Sequence, residues 1–121
     1  MTLQHVVLFS FPRELDPAEY AEMRSMIADW PGRIGNIRRL RLGADLTGAR
    51  TRGYTRLLYM EFDSMEDLQR YRDHPVHQAF NRWIIDHECT PLAFDYFLDD
   101  TTLLMPERQP AGAGVSLEET T

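Results

Sequence analysis

The segment from Tyr54 to Phe62 constrains the fold most, because large apolar side chains alternate onto both of its faces. Side chains along a β-strand point alternately to opposite sides of the sheet. One face of this segment carries Tyr54, Arg56, Leu58, Met60 and Phe62, and the other carries Thr55, Leu57, Tyr59 and Glu61. A strand with two such faces is expected to be covered on both sides. We therefore predict helices over one face and a partner subunit against the other.

Strand and helix signals follow one another in a defined order along the chain. Runs rich in β-branched and aromatic residues predict four strands, at 3–11, 37–46, 54–62 and 92–97. Capping signals and apolar stripes predict three helices. The first begins after Asp16 and ends at Pro31-Gly32, the second occupies 64–74 and the third occupies 75–88. This β-α-β-β-α-β order predicts a ferredoxin-like α+β fold, a four-stranded antiparallel sheet with helices on one face.

The chain length and the distribution of apolar residues indicate one domain. Its 121 residues are too few for two ordinary domains. The predicted elements all fall within residues 1–100. Residues 101–121 contain little to bury, and we predict that they form an extended, disordered tail.

Charge and composition exclude several classes of function. A net charge of −6 disfavours both nucleic acid and anionic membrane as partners. No apolar run has the length of a membrane span and no signal-peptide pattern is present, so we expect a cytoplasmic protein. The basic residues are all Arg, and without Lys no side-chain Schiff base can form. No Gly-rich phosphate loop is present, which removes the usual nucleotide sites.

Five short motifs together resemble one known family. They are His5-Val6-Val7-Leu8-Phe9, Gly53-Tyr54-Thr55, Glu61-Phe62-Asp63-Ser64, Tyr71-Arg72-Asp73-His74-Pro75-Val76-His77 and Phe94-Asp95-Tyr96. Their order and spacing over residues 2–98 are similar to those of the Dabb family, the stress-responsive dimeric α+β barrel proteins. The resemblance implies a homodimer in which two sheets pack face to face and enclose a barrel.

The resemblance also implies a candidate site. A plant polyketide cyclase of the family works without metal or cofactor, and its catalytic tyrosine and histidine correspond to Tyr71 and His77. The aspartate that orients this histidine corresponds to Asp95, and a further pocket histidine corresponds to His5. The sequence departs from the cyclase at Arg56, where the cyclase has another histidine.

These residue types suit acid–base chemistry on a carbonyl or phenolic compound. His77 is the candidate general base or acid, and Tyr71 is a candidate donor to a developing oxyanion. Such a pair is sufficient for a cyclase, lyase or isomerase that needs no cofactor. The alternative is a stress-response or ligand-binding protein without catalysis, in which Tyr71 and His77 only pack around the His74-Pro75 helix break. A third possibility is a heme-dependent or cofactorless oxygenase.

The remaining candidates concern substrate binding. His5, Arg56, Leu58, Met60 and Phe80 are predicted to contact a small-molecule substrate. Arg56 lies on the helix-facing side of its strand, where it requires either an acidic side chain or a substrate carboxylate. His74 is interpreted as a helix cap, and we predict no metal site from its three-residue spacing to His77.

Overall fold

The computed structural model describes residues 1–106 and Arg108 of the chain. Its elements are β1 (Thr2–Ser10), α1 (Pro17–Ala28), α2 (Trp30–Arg33), β2 (Arg39–Ala44), β3 (Tyr54–Phe62), α3 (Met65–Asp73), α4 (Pro75–Asp86) and β4 (Thr90–Leu98). The predicted ferredoxin-like α+β fold is therefore confirmed. Most of the predicted tail, 101–121, lies outside the described residues.

Several boundaries differ from the sequence-based expectation, and β1 and β4 begin one and two residues earlier than predicted. Pro31 and Gly32 do not end the helical region but lie within α2, a single turn that follows α1. A proline is tolerated there because the first turn of a helix leaves its N–H groups unpaired. Strand β2 is shorter than the predicted 37–46 and ends at Ala44.

The four strands form one antiparallel sheet in the order β2-β3-β1-β4. Strand β1 therefore lies in the interior of the sheet, with β3 on one side and β4 on the other. In this register His5 lies opposite Met60 of β3 and opposite Asp95 of β4. The central position of β1 brings residues from both ends of the chain next to His5.

Capping side chains fix where the helices begin. Asp16 and Glu19 form the complete capping box that the sequence predicts at the start of α1. The Ser64 hydroxyl accepts from the Asp67 N–H at the start of α3. The His74 side chain accepts from the Val76 N–H, so His74 is the predicted helix cap of α4.

The helices cover one face of the sheet and build the core there. Met23 and Ile27 of α1 and Trp30 of α2 are buried, and Tyr20 packs against this core. They meet the helix-facing side chains of β1 and β3, which are Leu3, Val7, Phe9, Leu58, Met60 and Phe62. No helix among the described residues is both long and apolar enough to cross a membrane.

The other face of the sheet is open in the single chain and carries apolar groups. Leu57, Leu92, Phe94 and Tyr96 are all exposed there, and Phe94 retains 66 % of its accessible surface. Strand β4 is exposed along most of its length because the helices do not reach over it. This face is the one that the sequence analysis assigned to a partner subunit.

The core on the helical side predicts that alanine substitutions at two positions of α3 change the free energy of unfolding by clearly different amounts. Leu68→Ala removes a fully buried side chain and is expected to lower the free energy of unfolding by about 2–5 kcal/mol. Met65→Ala, on the same helix but 50 % exposed, should change it by less than about 1 kcal/mol. Urea unfolding followed by circular dichroism measures both. Equal losses for the two variants would contradict this description of the core.

Candidate active site

A cavity of about 460 Å³ opens between α4 and the strands β1 and β4. Its apolar wall is made by Val7, Phe9, Leu58, Phe80, Ile84, Ile85, Cys89, Pro91 and Ala93. The polar side chains around it are His5, Tyr71, Arg72, His77, Gln78 and Asn81. Tyr71 and His77, the candidate catalytic pair, both line this open cavity.

His77 lies in the first turn of α4, next to the last turn of α3. Its ring centroid is 4.2 Å from that of Tyr71 and 5.6 Å from that of Trp30. Its Nδ1 lies 3.3 Å from the main-chain carbonyl oxygen of Arg72, which can only accept a hydrogen bond. The proton of the neutral imidazole is therefore on Nδ1, and Nε2 remains available as a base. Burial lowers the pKa of His77 below its ordinary value, which favours this neutral form.

Tyr71 is buried at the end of α3, between the rings of Trp30, Phe62 and His77. Burial raises the pKa of its phenol well above the ordinary value, because the phenolate would be poorly solvated. The group therefore stays protonated throughout the neutral range. In that state it can donate a hydrogen bond to an oxygen that gains charge.

The aspartate predicted to orient His77 has a different partner in the structure. Asp95 Oδ1 lies 2.5 Å from Nδ1 of His5, and its Oδ2 lies 3.3 Å from Nη2 of Arg72. His77 instead donates to the Arg72 carbonyl. The physical reason is the sheet register, which places His5 and Asp95 directly opposite each other on neighbouring strands. The site thus contains a His5–Asp95 pair beside the Tyr71–His77 pair.

Two of the predicted substrate-binding residues lie outside this cavity. Arg56 is buried near the start of β3, where it pairs with Glu14 at 3.1 Å and stacks over the ring of Tyr20 at 4.3 Å. An acidic side chain, not a substrate, is therefore its anion. Met60 is fully buried in the core and does not line the cavity. His5, Leu58 and Phe80 do line it, as predicted.

Three polar groups of the cavity were missed by the sequence analysis. Gln78 and Asn81 lie on α4 close to His77, and Arg72 directly follows Tyr71. The helical spacing of His77 and Asn81, four residues apart, was a signal that could have identified one of them. Arg72 lies inside the motif between Tyr71 and His77 and carried no separate signal.

Cys89 also lines the cavity, and its environment does not favour a nucleophilic role. Burial raises the pKa of its thiol to about 11, so the thiolate is scarce at neutral pH. The acid–base groups of the cavity are accordingly its two histidines and Tyr71.

Fold and cavity together define a ferredoxin-like α+β domain with a histidine- and tyrosine-containing cavity between its sheet and helices. The chain belongs to the Dabb family, because the family model of the stress responsive A/B barrel domain matches residues 3–98.

Known proteins similar to this chain include enzymes. It is 27 % identical over 97 residues to olivetolic acid cyclase from Cannabis sativa, covering 79 % of this chain and 96 % of the cyclase. The structure of the hydroxynitrile lyase from Passiflora edulis has a TM-score of 0.73 at 17 % identity, covering 84 % of this chain and 97 % of that one. A dimeric ferredoxin-like protein of unknown function from Thermobifida fusca has a TM-score of 0.70 at 23 % identity, covering 81 % and 92 %.

Proposed function

We propose that this cavity carries out cofactor-independent acid–base chemistry on a small carbonyl or phenolic compound, as a cyclase, lyase or isomerase. One observation carries the proposal: Tyr71, His77 and His5, which is paired with Asp95, all line a single open cavity whose wall is mostly apolar. An apolar cavity with a few convergent polar groups is the usual form of a small-molecule site. The cyclase and lyase relatives are consistent with this class of reaction.

The first step of the proposed mechanism is a proton transfer. Nε2 of His77 removes a proton from a carbon next to the substrate carbonyl, while its Nδ1–H stays on the Arg72 carbonyl. The electron pair of the broken C–H bond moves to the carbonyl oxygen, which becomes an enolate. Tyr71 donates a hydrogen bond to that oxygen and stabilises the charge.

The second step uses the enolate carbon as a nucleophile or returns a proton to it. In a ring closure it forms a bond to a second carbonyl of the same substrate, and the new alkoxide takes a proton. In an isomerisation a different carbon takes a proton. His5, held by Asp95, is the proposed donor in either case. Afterwards His77 releases to solvent the proton that it removed, and His5 takes one up from solvent, so both histidines return to their starting states.

Enolisation predicts a measurable exchange reaction that does not depend on knowing the natural substrate. The protein in D₂O should accelerate the exchange of the α-protons of 4-phenyl-2-butanone, followed by ¹H NMR. His77→Ala should lower the exchange rate by about 10²–10⁴-fold, and Tyr71→Phe should lower it as well because the enolate loses its donor. Gln69→Ala, an exposed residue of α3, serves as the control. Exchange that is unchanged in both His77 and Tyr71 variants would rule out the mechanism.

The state of His77 also predicts the pH dependence of this exchange. The base is active only when neutral, and the lowered pKa of His77 keeps it neutral to a pH below 6.5. The rate should therefore be constant near neutrality and fall on the acidic side with a midpoint below pH 6.5. The same burial makes protonation destabilising, so the free energy of unfolding should decrease as the pH falls from 6.5. A midpoint above pH 6.5 would show that another group is the base.

A second candidate function, ligand binding without catalysis, is supported by the packing of Tyr71. Its ring contacts His5, Trp30, Phe62 and His77, so it also has a structural role. A binding protein would take up 4-phenyl-2-butanone without accelerating its exchange. The NMR experiment above therefore separates the two candidates.

We further propose that the chain forms a homodimer through the open sheet face. The exposed apolar groups of that face and the dimeric description of a similar structure support this. Phe94→Arg places a charge among the exposed apolar groups of the face and should convert the dimer into a monomer in sedimentation equilibrium. Met65→Arg, on the helical side, should leave the mass unchanged. A monomeric wild-type protein would contradict the proposal.

A further inference from the structure

We propose that the substrate carries a carboxylate, which the Arg72 guanidinium binds at the mouth of the cavity. This inference rests on the proposed function, because it assigns a substrate class to the same cavity. Among the described residues that line the cavity, Arg72 is the one whose side chain is always positively charged. The rest of the lining is apolar or neutral, apart from the two histidines. A cation at the rim of an apolar cavity suits an amphipathic acid.

The Arg72 side chain retains most of its hydrogen-bonding capacity. Among the described residues its guanidinium makes one polar contact, from Nη2 to Asp95 Oδ2 at 3.3 Å, and the side chain is 40 % exposed. A guanidinium has five N–H donors arranged to bind a carboxylate through two parallel hydrogen bonds. Arg56 provides the contrast, since it is buried against Glu14 and Tyr20. Of these two arginines, Arg72 is accordingly the one whose guanidinium can still bind a ligand.

Asp95 forms one hydrogen bond with the Arg72 guanidinium and not the two parallel bonds of a bidentate ion pair. Its Oδ1 is committed to His5 at 2.5 Å, so only Oδ2 faces the guanidinium. Partly exposed ion pairs of this kind contribute little to stability. A substrate carboxylate can therefore bind the free edge of the guanidinium while Asp95 stays with His5.

The charge of Arg72 reaches the reacting groups. The nearby guanidinium acts to lower the pKa of both Tyr71 and His77, although burial dominates at each. A carboxylate bound to Arg72 would thus lie close to both rings. The apolar remainder of the substrate would then extend along Val7, Leu58 and Phe80, with its carbonyl beside His77 and Tyr71, which line the same cavity.

The backbone of Arg72 has a separate role, and this allows a clean test. Its carbonyl oxygen accepts hydrogen bonds from His77 Nδ1 and Gln78 Nε2. Because that oxygen belongs to the main chain, a side-chain substitution at Arg72 leaves the position of His77 unchanged. Effects of Arg72 variants on binding therefore report on the guanidinium.

The test compares two ligands of the same shape, 4-phenylbutyrate and the uncharged 4-phenylbutyramide, by NMR titration of the ¹⁵N-labelled full-length protein at neutral pH. The wild type should bind the carboxylate at least about tenfold more tightly than the amide. Arg72→Gln should abolish this preference, and Arg72→Lys should restore part of it because a point charge remains. Arg70→Gln is the control, because Arg70 pairs with Asp67 on the outer surface of α3. This variant should keep the full preference for the carboxylate. Asp95→Asn should strengthen carboxylate binding, since a competing anion is removed.

Several results would overturn the inference. They are equal affinities for the two ligands in the wild type, a carboxylate preference that survives in Arg72→Gln, and binding of neither ligand. The α-proton exchange of neutral 4-phenyl-2-butanone separates this failure from failure of the proposed function. Exchange that depends on His77, without any carboxylate preference, would refute only the role of Arg72. A carboxylate preference that depends on Arg72, without exchange, would refute the catalytic function and leave an acid-binding site.

Discussion

The break between α3 and α4 at His74–Pro75 is the constraint on which the site depends. Tyr71 and His77 are six residues apart, and in one continuous helix their side chains would point about 120° apart around the axis. Pro75 prevents such a helix, because the residue before a proline is kept out of the helical conformation and His74 is extended. The chain turns there, and the two rings meet at 4.2 Å.

The same break provides the acceptor that fixes His77. The last carbonyl groups of a helix have no partner within it. The Arg72 carbonyl is one of these at the end of α3, and it receives His77 Nδ1 and Gln78 Nε2 from the next helix. A single proline thus explains the helix boundary, the pairing of the two rings and the tautomer of the histidine.

The sequence predicted the parts of the structure that depend on local patterns. Alternating strands, the capping box at Asp16 and the cap at His74 all follow from interactions within a few residues. The motif around Tyr71 and His77 identified the family for the same reason. Local signals of this kind are readable without knowledge of the tertiary structure.

The contacts that were not predicted join residues far apart in the chain. Asp95 pairs with His5 because β4 adds to the edge of β1 in one particular register, which no local pattern specifies. Arg56 pairs with Glu14, a residue of the loop before α1 that has no periodic signal of its own. Met60 and Leu58 share a strand face, yet only Leu58 borders the cavity, and Met60 is fully buried in the core.

The two histidines of the cavity have different partners, one local and one distant in the chain. Each engages its Nδ1, His77 with a main-chain carbonyl and His5 with a carboxylate, so each keeps Nε2 free of that bond. His77 is held by its own helix junction, whereas His5 is held by a strand from the other end of the chain. Arg72 adjoins both, because its main-chain carbonyl accepts from His77 and its guanidinium pairs with Asp95, the partner of His5. One residue at the end of α3 therefore contacts the hydrogen-bonding partners of both histidines.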